Sequence, residues 1–151
     1  MIERNHNRLH QTDTNTHLEE LEKLTNKLTR FSDIVEERKD KYIIMNMERG
    51  TCLGFNLLNK PDVAAADFFV SNGSVFRVHQ HKQLEYIIIY KGKMTINIFD
   101  SEELKNIIET HTLEAGECFK IEKGALHSHE YLEDSWVIAI TIPREEGFPT
   151  T

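Results

Sequence analysis

Cysteine is scarce in this chain of 151 residues, which contains only Cys52 and Cys118. The two cysteines lie far apart and form no CxxC pair, so their number and spacing exclude a disulfide framework. We expect two ordinary reduced thiols rather than a redox pair.

Long apolar runs and an excess of basic charge are also missing. The longest apolar runs, such as 87–89 and 137–140, fall far short of the ~20 residues that span a bilayer. The chain carries 18 Lys and Arg against 25 Asp and Glu, a formal net charge of -7, and this field repels a phosphate backbone. Residues 1–6 lead into a polar stretch without the apolar segment of a secretory signal. We therefore expect a cytoplasmic protein with neither a membrane nor a nucleic-acid partner.

Residues 16–40 have the pattern of an amphipathic helix. Thr16 and Glu19 fit a capping box at its start. Its apolar side chains recur at alternating steps of three and four residues: Leu21, Leu24, Leu28, Phe31 and Val35. Because the stripe keeps heptad spacing over about two heptads, the helix either packs on the rest of its own chain or pairs with its copy in a dimer. The polar residues before it, 1–15, are expected to be flexible.

From residue 41 onward, short apolar runs alternate with turn residues. Eight runs predict strands: 42–47, 52–58, 65–70, 74–80, 85–91, 93–99, 117–121 and 135–142. The alternation of Met94 and Ile96 with polar residues is typical of a half-buried strand. Residues 101–108 fit an acidic loop or a single helical turn. Short strands with no helical periodicity between them predict a mainly β fold, either a sandwich or a barrel.

The segment around His79, His81 and Glu85 carries the chemistry. On a strand, residues i and i+2 share a face, so His79 and His81 can present two imidazoles to one point. Glu85 opens the next predicted strand and can face the same cavity, and His127 can supply a third imidazole from a later strand. Three neutral imidazoles and one carboxylate suit a divalent first-row metal that keeps open positions for water or substrate.

These residues match the first motif of the cupin superfamily, which the chain resembles. The motif is filled at every fixed position: Gly73, five residues, His79, one residue, His81, three residues, Glu85, six residues and Gly92. A motif with five fixed positions at set spacing is a specific signal.

The second cupin motif is matched in part. Gly116, Gly124 and His127 occupy its glycine and histidine positions, whereas Glu122 stands in place of the family's proline and Tyr131 in place of its asparagine. The two motifs and the strands between them cover residues 73 to 131.

The resemblance implies a mainly β protein with a cupin-type double-stranded β-helix, or jelly-roll barrel, over residues 41–143. The N-terminal α-helix lies outside this barrel, and residues 144–151 form a C-terminal tail. In the family the motif residues are metal ligands, which implies one divalent transition metal per chain (iron, manganese, nickel, zinc, copper or cobalt) held by His79, His81, Glu85 and His127. A homodimer is expected on family grounds.

Three further residues are candidates for the surroundings of the metal. Arg77 shares strand parity with His79 and is expected either inside the cavity, where it would bind a carboxylate or phosphate of the substrate, or at its rim. His129 is either a hydrogen-bond partner and acid–base group near the metal or a residue of the rim. Tyr131 either gates the mouth and binds substrate or serves packing. Glu85 is the candidate base if it leaves the metal.

Two functions of different class fit these predictions. The first is a metal-dependent enzyme acting on a small molecule, with dioxygenase chemistry for a redox metal and isomerase or lyase chemistry for a redox-inert one. The second is a non-catalytic module that senses or binds a metal or small ligand and dimerises through its N-terminal helix. The ligand set favours the first function, and the N-terminal helix favours the second.

Overall fold

A computed structural model describes residues 19, 41–101, 103 and 105–145 of the chain. The predicted flexible segment 1–15 and, apart from Glu19, the predicted helix 16–40 lie outside the described residues. Among those that are described, no helix has the length and apolarity needed to cross a membrane.

The described residues form ten strands. They are β1 (Ile43–Ile44), β2 (Cys52–Lys60), β3 (Val63–Val70), β4 (Val75–His79), β5 (Leu84–Lys91), β6 (Lys93–Phe99), β7 (Ile107–Glu114), β8 (Cys118–Ile121), β9 (Leu126–Tyr131) and β10 (Ser135–Ile142). Strand pairing is antiparallel throughout, in a six-stranded sheet of order β1-β2-β3-β10-β5-β8 and a four-stranded sheet of order β4-β9-β6-β7. The predicted mainly β fold is confirmed.

Two of these strands lack the apolar run by which the other strands were predicted, and each has a physical reason. The strand β7 is exposed at most positions and buries only Leu113, so it lacks an apolar run, and the predicted loop or helical turn over 101–108 is wrong at its last two residues. The strand β9 buries His127, His129 and Tyr131, and a strand whose inward side chains are mostly polar carries no hydrophobic period.

The core lies between the two sheets. Ile87 and Ile89 of β5 and Val137 of β10 face Met94 and Ile96 of β6, and each of these side chains is at most 2% exposed. Burying an aliphatic side chain of this size contributes about 1.5–3 kcal/mol. The alternating residues of β5, β6 and β10 therefore join two sheets that share no strand within the described part of the chain.

The two faces of β10 carry side chains of different size. Ala139 and Thr141 point to the side buried against the other sheet, with 3% and 0% exposure. The alternate positions hold bulky residues, and Trp136 stacks on Phe69 with ring centroids 5.2 Å apart. Small side chains on the inner face leave space between the sheets beside β5.

Turn glycines set the connections that the motifs predict. Gly92 has a φ of 97° between β5 and β6, and a Cβ there would overlap Ser135. Gly124 has a φ of 76°, and its N–H donates to the carbonyl of His81 at 2.7 Å. The turn before β9 forms with Glu122 in the proline position, since its carbonyl accepts from the N–H of Ala125 at 3.1 Å. A backbone hydrogen bond thus joins the turn of the second motif to the first motif.

Candidate metal centre

Both sheets contribute to the cluster of candidate ligands. His79 ends β4 and lies directly opposite His127 of β9 in the strand register. His81 follows β4 in the connection to β5, and Glu85 lies on β5 in the other sheet, opposite Thr141 of β10. The structure brings these four candidate ligands together at one end of the space between the sheets.

The imidazoles are closely packed. Ring centroids are 4.2 Å apart for His79 and His127, 4.8 Å for His79 and His81, and 5.4 Å for His81 and His127. The ligating atoms of these three histidines all lie within 4.8 Å of one another. Two nitrogens bound to one ion at 2.0–2.1 Å are about 3–4 Å apart, so a small inward adjustment would suffice for coordination.

The proton on each ring is placed by an acceptor at Nδ1. His79 donates to the carbonyl of Arg77 at 2.7 Å, and His127 donates to the carbonyl of Ala125 at 2.8 Å. A carbonyl can only accept, so Nδ1 carries the proton and Nε2 keeps its lone pair. His81 makes the corresponding contact to a carboxylate oxygen of Glu145 at 3.0 Å. Each of the three rings is therefore oriented with Nε2 available as a ligand.

The carboxylate of Glu85 completes this arrangement. Its Oε2 lies 3.5 Å from Nε2 of His81, and its Oε1 lies 3.9 Å from Nε2 of His127. Both of these nitrogens are buried and have no hydrogen-bond partner among the described residues. Buried polar atoms without partners are rare and costly, and nitrogen lone pairs beside a buried carboxylate fit a divalent cation.

Burial determines the charge of these groups in the absence of an ion. It raises the pKa of Glu85 to about 7, although His81 opposes the shift. It lowers the pKa of His127 to about 3, with a further contribution from His79. Burial also lowers the pKa of His79, more than its bond to the Arg77 carbonyl raises it. These two rings are therefore neutral at pH 7, the form in which imidazole binds a metal.

His81 differs from the other two rings. Burial alone would lower its pKa, but the hydrogen bond to Glu145 and the charges of Glu85 and Glu145 together raise it. When His81 carries a proton on each nitrogen, the proton on Nε2 must leave before that nitrogen can bind an ion.

His129 and Tyr131 extend the inner face of β9 beyond His127. Both are buried, and Nε2 of His129 has no hydrogen-bond partner in the described part of the chain. Burial lowers the pKa of His129 well below its ordinary value and raises that of Tyr131 well above it. Glu85, His127 and His129 form a second group whose ligating atoms lie within 4.8 Å of one another. His129 is thus beside the cluster rather than at the rim.

Arg77 lies at the rim, the second of its two expected positions, because β4 contains a bulge. Phe76 pairs with His129 and His79 with His127, so β4 advances three residues where β9 advances two. The extra residue turns Phe76 inward, with its ring 6.0 Å from that of His129. Arg77 is exposed at the cavity rim, where its guanidinium donates to Oδ1 of Asn46 at 3.5 Å.

A cavity of about 340 Å³ adjoins the cluster. Its inner wall is apolar and includes Phe68, Ile87, Val137 and Ala139, while Arg77, Asn46 and Gln80 line it among the polar groups. His79, His81, Glu85, His129, Tyr131 and Glu145 also face it. An apolar cavity with a few convergent polar groups is the usual form of a small-molecule site.

Glu145 is the residue of this cluster that sequence reasoning missed. It lies 64 positions after His81, in the segment predicted to leave the barrel as a loop. No local spacing signals the contact, because it depends on how the chain returns after β10.

One further histidine, His111, and the two cysteines lie apart from the cluster. His111 pairs with Glu109, with Nε2 and Oε2 2.9 Å apart. Cys118 is exposed on β8, and Cys52 is buried with its pKa raised by burial to about 12. None of these lines the cavity.

Comparison with known proteins identifies the fold. No protein-family model and no curated protein match the chain. An RmlC-like cupin from Shewanella frigidimarina is 17% identical over 72% of this chain and 90% of the other, with a TM-score of 0.58. KdgF from Halomonas sp. is 24% identical over 71% of this chain and 93% of the other, also with a TM-score of 0.58.

A third similar structure is an oxalate decarboxylase from Bacillus subtilis, a protein with Mn(II) centres. It is 18% identical over 69% of this chain and 28% of the other, with a TM-score of 0.55. The described part of the chain therefore has the cupin fold, as its two motifs predict. At these identities the likeness establishes the fold alone.

Proposed function

We propose that this protein is a metal-binding cupin whose His79, His81, Glu85 and His127 hold one divalent transition metal. The observation that carries the proposal is the orientation of the three imidazoles, because each Nδ1 faces an acceptor and leaves Nε2 free as a ligand. Nε2 of His81 and Nε2 of His127 lie beside the buried carboxylate of Glu85. Three nitrogens and one carboxylate oxygen suit iron, manganese, nickel, zinc, copper or cobalt. Four protein ligands leave coordination positions open on an ion that prefers six.

We further propose that the adjoining cavity binds a small organic molecule. Its volume of about 340 Å³ corresponds to about eleven water molecules at ~30 Å³ each. The apolar wall of Phe68, Ile87 and Val137 favours a ligand with an apolar body, and the cluster favours an oxygen-bearing group at its other end. His129 is neutral at pH 7 and lines this space, where its ring can hydrogen-bond the ligand.

Catalysis on that molecule is the function that the polar cluster supports best. A divalent ion would polarise a bound carbonyl or carboxylate, and a redox-active one would add oxidation chemistry. Glu85 is the candidate base if it leaves the metal, since burial brings the pKa of the unbound carboxyl to about 7. Tyr131 and Arg77 both line the cavity and are candidates to orient the substrate. The reaction class, dioxygenase or isomerase and lyase, depends on the ion.

The proposal is tested by elemental analysis of the untagged protein after purification and after reconstitution with each candidate ion. We expect about one equivalent of one metal in the wild type and none in a His79→Ala/His81→Ala double variant. His111→Ala is the matched control, because it removes an imidazole that lies outside the cavity, and it should retain the metal. A wild type that binds no ion under any condition contradicts the proposal.

Catalysis is tested separately from binding. The metal-loaded protein would be incubated with a panel of small carboxylates and ketoacids, with and without oxygen, and product would be followed by mass spectrometry. Turnover lost in the double variant supports the enzyme. Metal and ligand binding without turnover would favour the sensing or binding module instead.

A further inference from the structure

Glu145 brings a carboxylate from the end of the barrel to one of the candidate metal ligands. Both of its oxygens lie 3.0 Å from Nδ1 of His81. The segment that carries it is tied to the barrel at three points. The N–H of Arg144 donates to the carbonyl of Pro61 at 3.3 Å, its guanidinium donates to Oδ1 of Asn59 at 3.2 Å, and the N–H of Glu145 lies 3.4 Å from Oγ1 of Thr141.

The acceptor of His81 differs in kind from those of the other two rings. His79 and His127 each donate to the backbone carbonyl two residues earlier in the sequence, so their orientation is fixed by local strand geometry. The ring of His81 lies in a connection and depends on a side chain 64 positions later in the sequence. A carboxylate acceptor also makes the imidazole a stronger electron donor than a carbonyl does.

We propose that Glu145 is a positioning residue for the metal: it holds the proton of His81 on Nδ1, aims Nε2 at the point shared with His79, His127 and Glu85, and strengthens that ligand. This inference rests on the proposed metal site. The segment after β10 then helps to orient a metal ligand. The negative charge of Glu145, close behind the ligands, also favours a divalent cation.

The opposite role has a definite signature. If Glu145 instead acts chiefly by pairing with a doubly protonated His81, it competes with the ion, and its removal would tighten metal binding. The two roles therefore predict opposite signs for the same substitution.

The test compares Glu145→Gln with Glu109→Gln in the full-length chain. The control is closely matched, because Glu109 pairs with His111 at 2.9 Å outside the cavity and its substitution removes the same charge. Dissociation constants for Mn(II) and Co(II) would be measured by competition with a chelator, and the absorption spectrum of the Co(II) protein would report the geometry of the ligands.

We expect Glu145→Gln to weaken metal binding by about 10- to 100-fold and to shift the Co(II) absorption bands, while Glu109→Gln changes neither. Thermal unfolding of the metal-free proteins would verify folding, and Glu145→Ala provides a second variant. Equal affinity in wild type and Glu145→Gln, or tighter binding in the variant, overturns the inference and leaves the metal site intact. Absence of binding in the wild type overturns both.

A double-mutant cycle distinguishes positioning from a general charge effect. In a His81→Ala background, which retains three candidate ligands, the substitution Glu145→Gln should cause little further loss of affinity if Glu145 acts through that ring. The same loss in both backgrounds would mean that the carboxylate acts only by its charge, which contradicts the positioning role.

Discussion

Replacing Glu85 with Gln separates the effect of the buried carboxylate on stability from its effect on metal binding. The side chain is 3% exposed on β5, between Thr141 of β10 and Ile121 of β8. Gln has nearly the same shape but no charge to bury. In the metal-free protein the substitution should therefore stabilise the fold at a pH where Glu85 would be ionised, and it should weaken metal binding.

The magnitude follows from the pKa of Glu85. Burial raises it from 4.5 to about 7 in the folded protein, so the folded state holds this proton more tightly than the unfolded chain does. The free energy of unfolding then falls by up to ~1.4 kcal/mol per pH unit as the pH rises from 4.5 to 7, and levels off above that. The total is on the order of 3 kcal/mol.

The assay is denaturant unfolding of chelator-treated protein at several pH values between 4.5 and 8. We expect Glu85→Gln and wild type to differ little at pH 4.5 from this cause, and the variant to gain on the order of 3 kcal/mol relative to wild type by pH 8. The exposed Glu109→Gln should show no such trend. When metal is added, the wild type should become more stable than Glu85→Gln, because the variant lacks an anionic ligand.

Two results would refute this reasoning. A stability difference between Glu85→Gln and wild type that stays constant across the pH range would mean that the carboxylate is not held protonated by burial. Undiminished metal affinity in the variant would mean that Glu85 is not a ligand.

Other perturbations test the core, a turn and metal linkage. Ile96→Ala should destabilise the protein by about 2–5 kcal/mol, since the side chain is fully buried between the sheets; a smaller loss in denaturant unfolding would contradict the packing. Gly92→Ala should lower stability by at least ~1–2 kcal/mol, because φ is 97° and a Cβ would overlap Ser135; an unchanged melting temperature would contradict that turn. Free Mn(II) at one hundred times its dissociation constant should add about 2.7 kcal/mol of stability, and His79→Ala should abolish the gain in a thermal shift measurement.

The sequence predicted that His79, His81 and Glu85 lie close together because the geometry that joins them is local. His79, His81 and Glu85 fall within seven residues of a strand–turn–strand unit, and the glycines around them mark the turns. The strands that bury alternating apolar residues, such as β6 with Met94 and Ile96, were predictable for the same reason. A fixed period in the sequence translates directly into a face of the sheet.

The parts that escaped prediction depend on irregularity or on distance along the chain. The bulge in β4 decides between the two expected positions of Arg77, and a single inserted residue leaves no compositional trace. The contact between Glu145 and His81 joins segments that are 64 positions apart in the sequence. The strand β9 has no apolar run because its inner face carries His127 and His129 in place of apolar side chains.

The division of the candidate ligands between the sheets has a mechanical consequence. His79 and His127 belong to the four-stranded sheet and Glu85 to the six-stranded one, and near Glu85 the inner face of β10 offers only the small side chains Ala139 and Thr141. An ion held by all of these ligands would therefore join the two sheets at a place where the buried side chains of β10 are small. Its loss should loosen that end of the barrel as a whole, and hydrogen exchange would then rise together in β5 and β9, two strands that share no hydrogen bond.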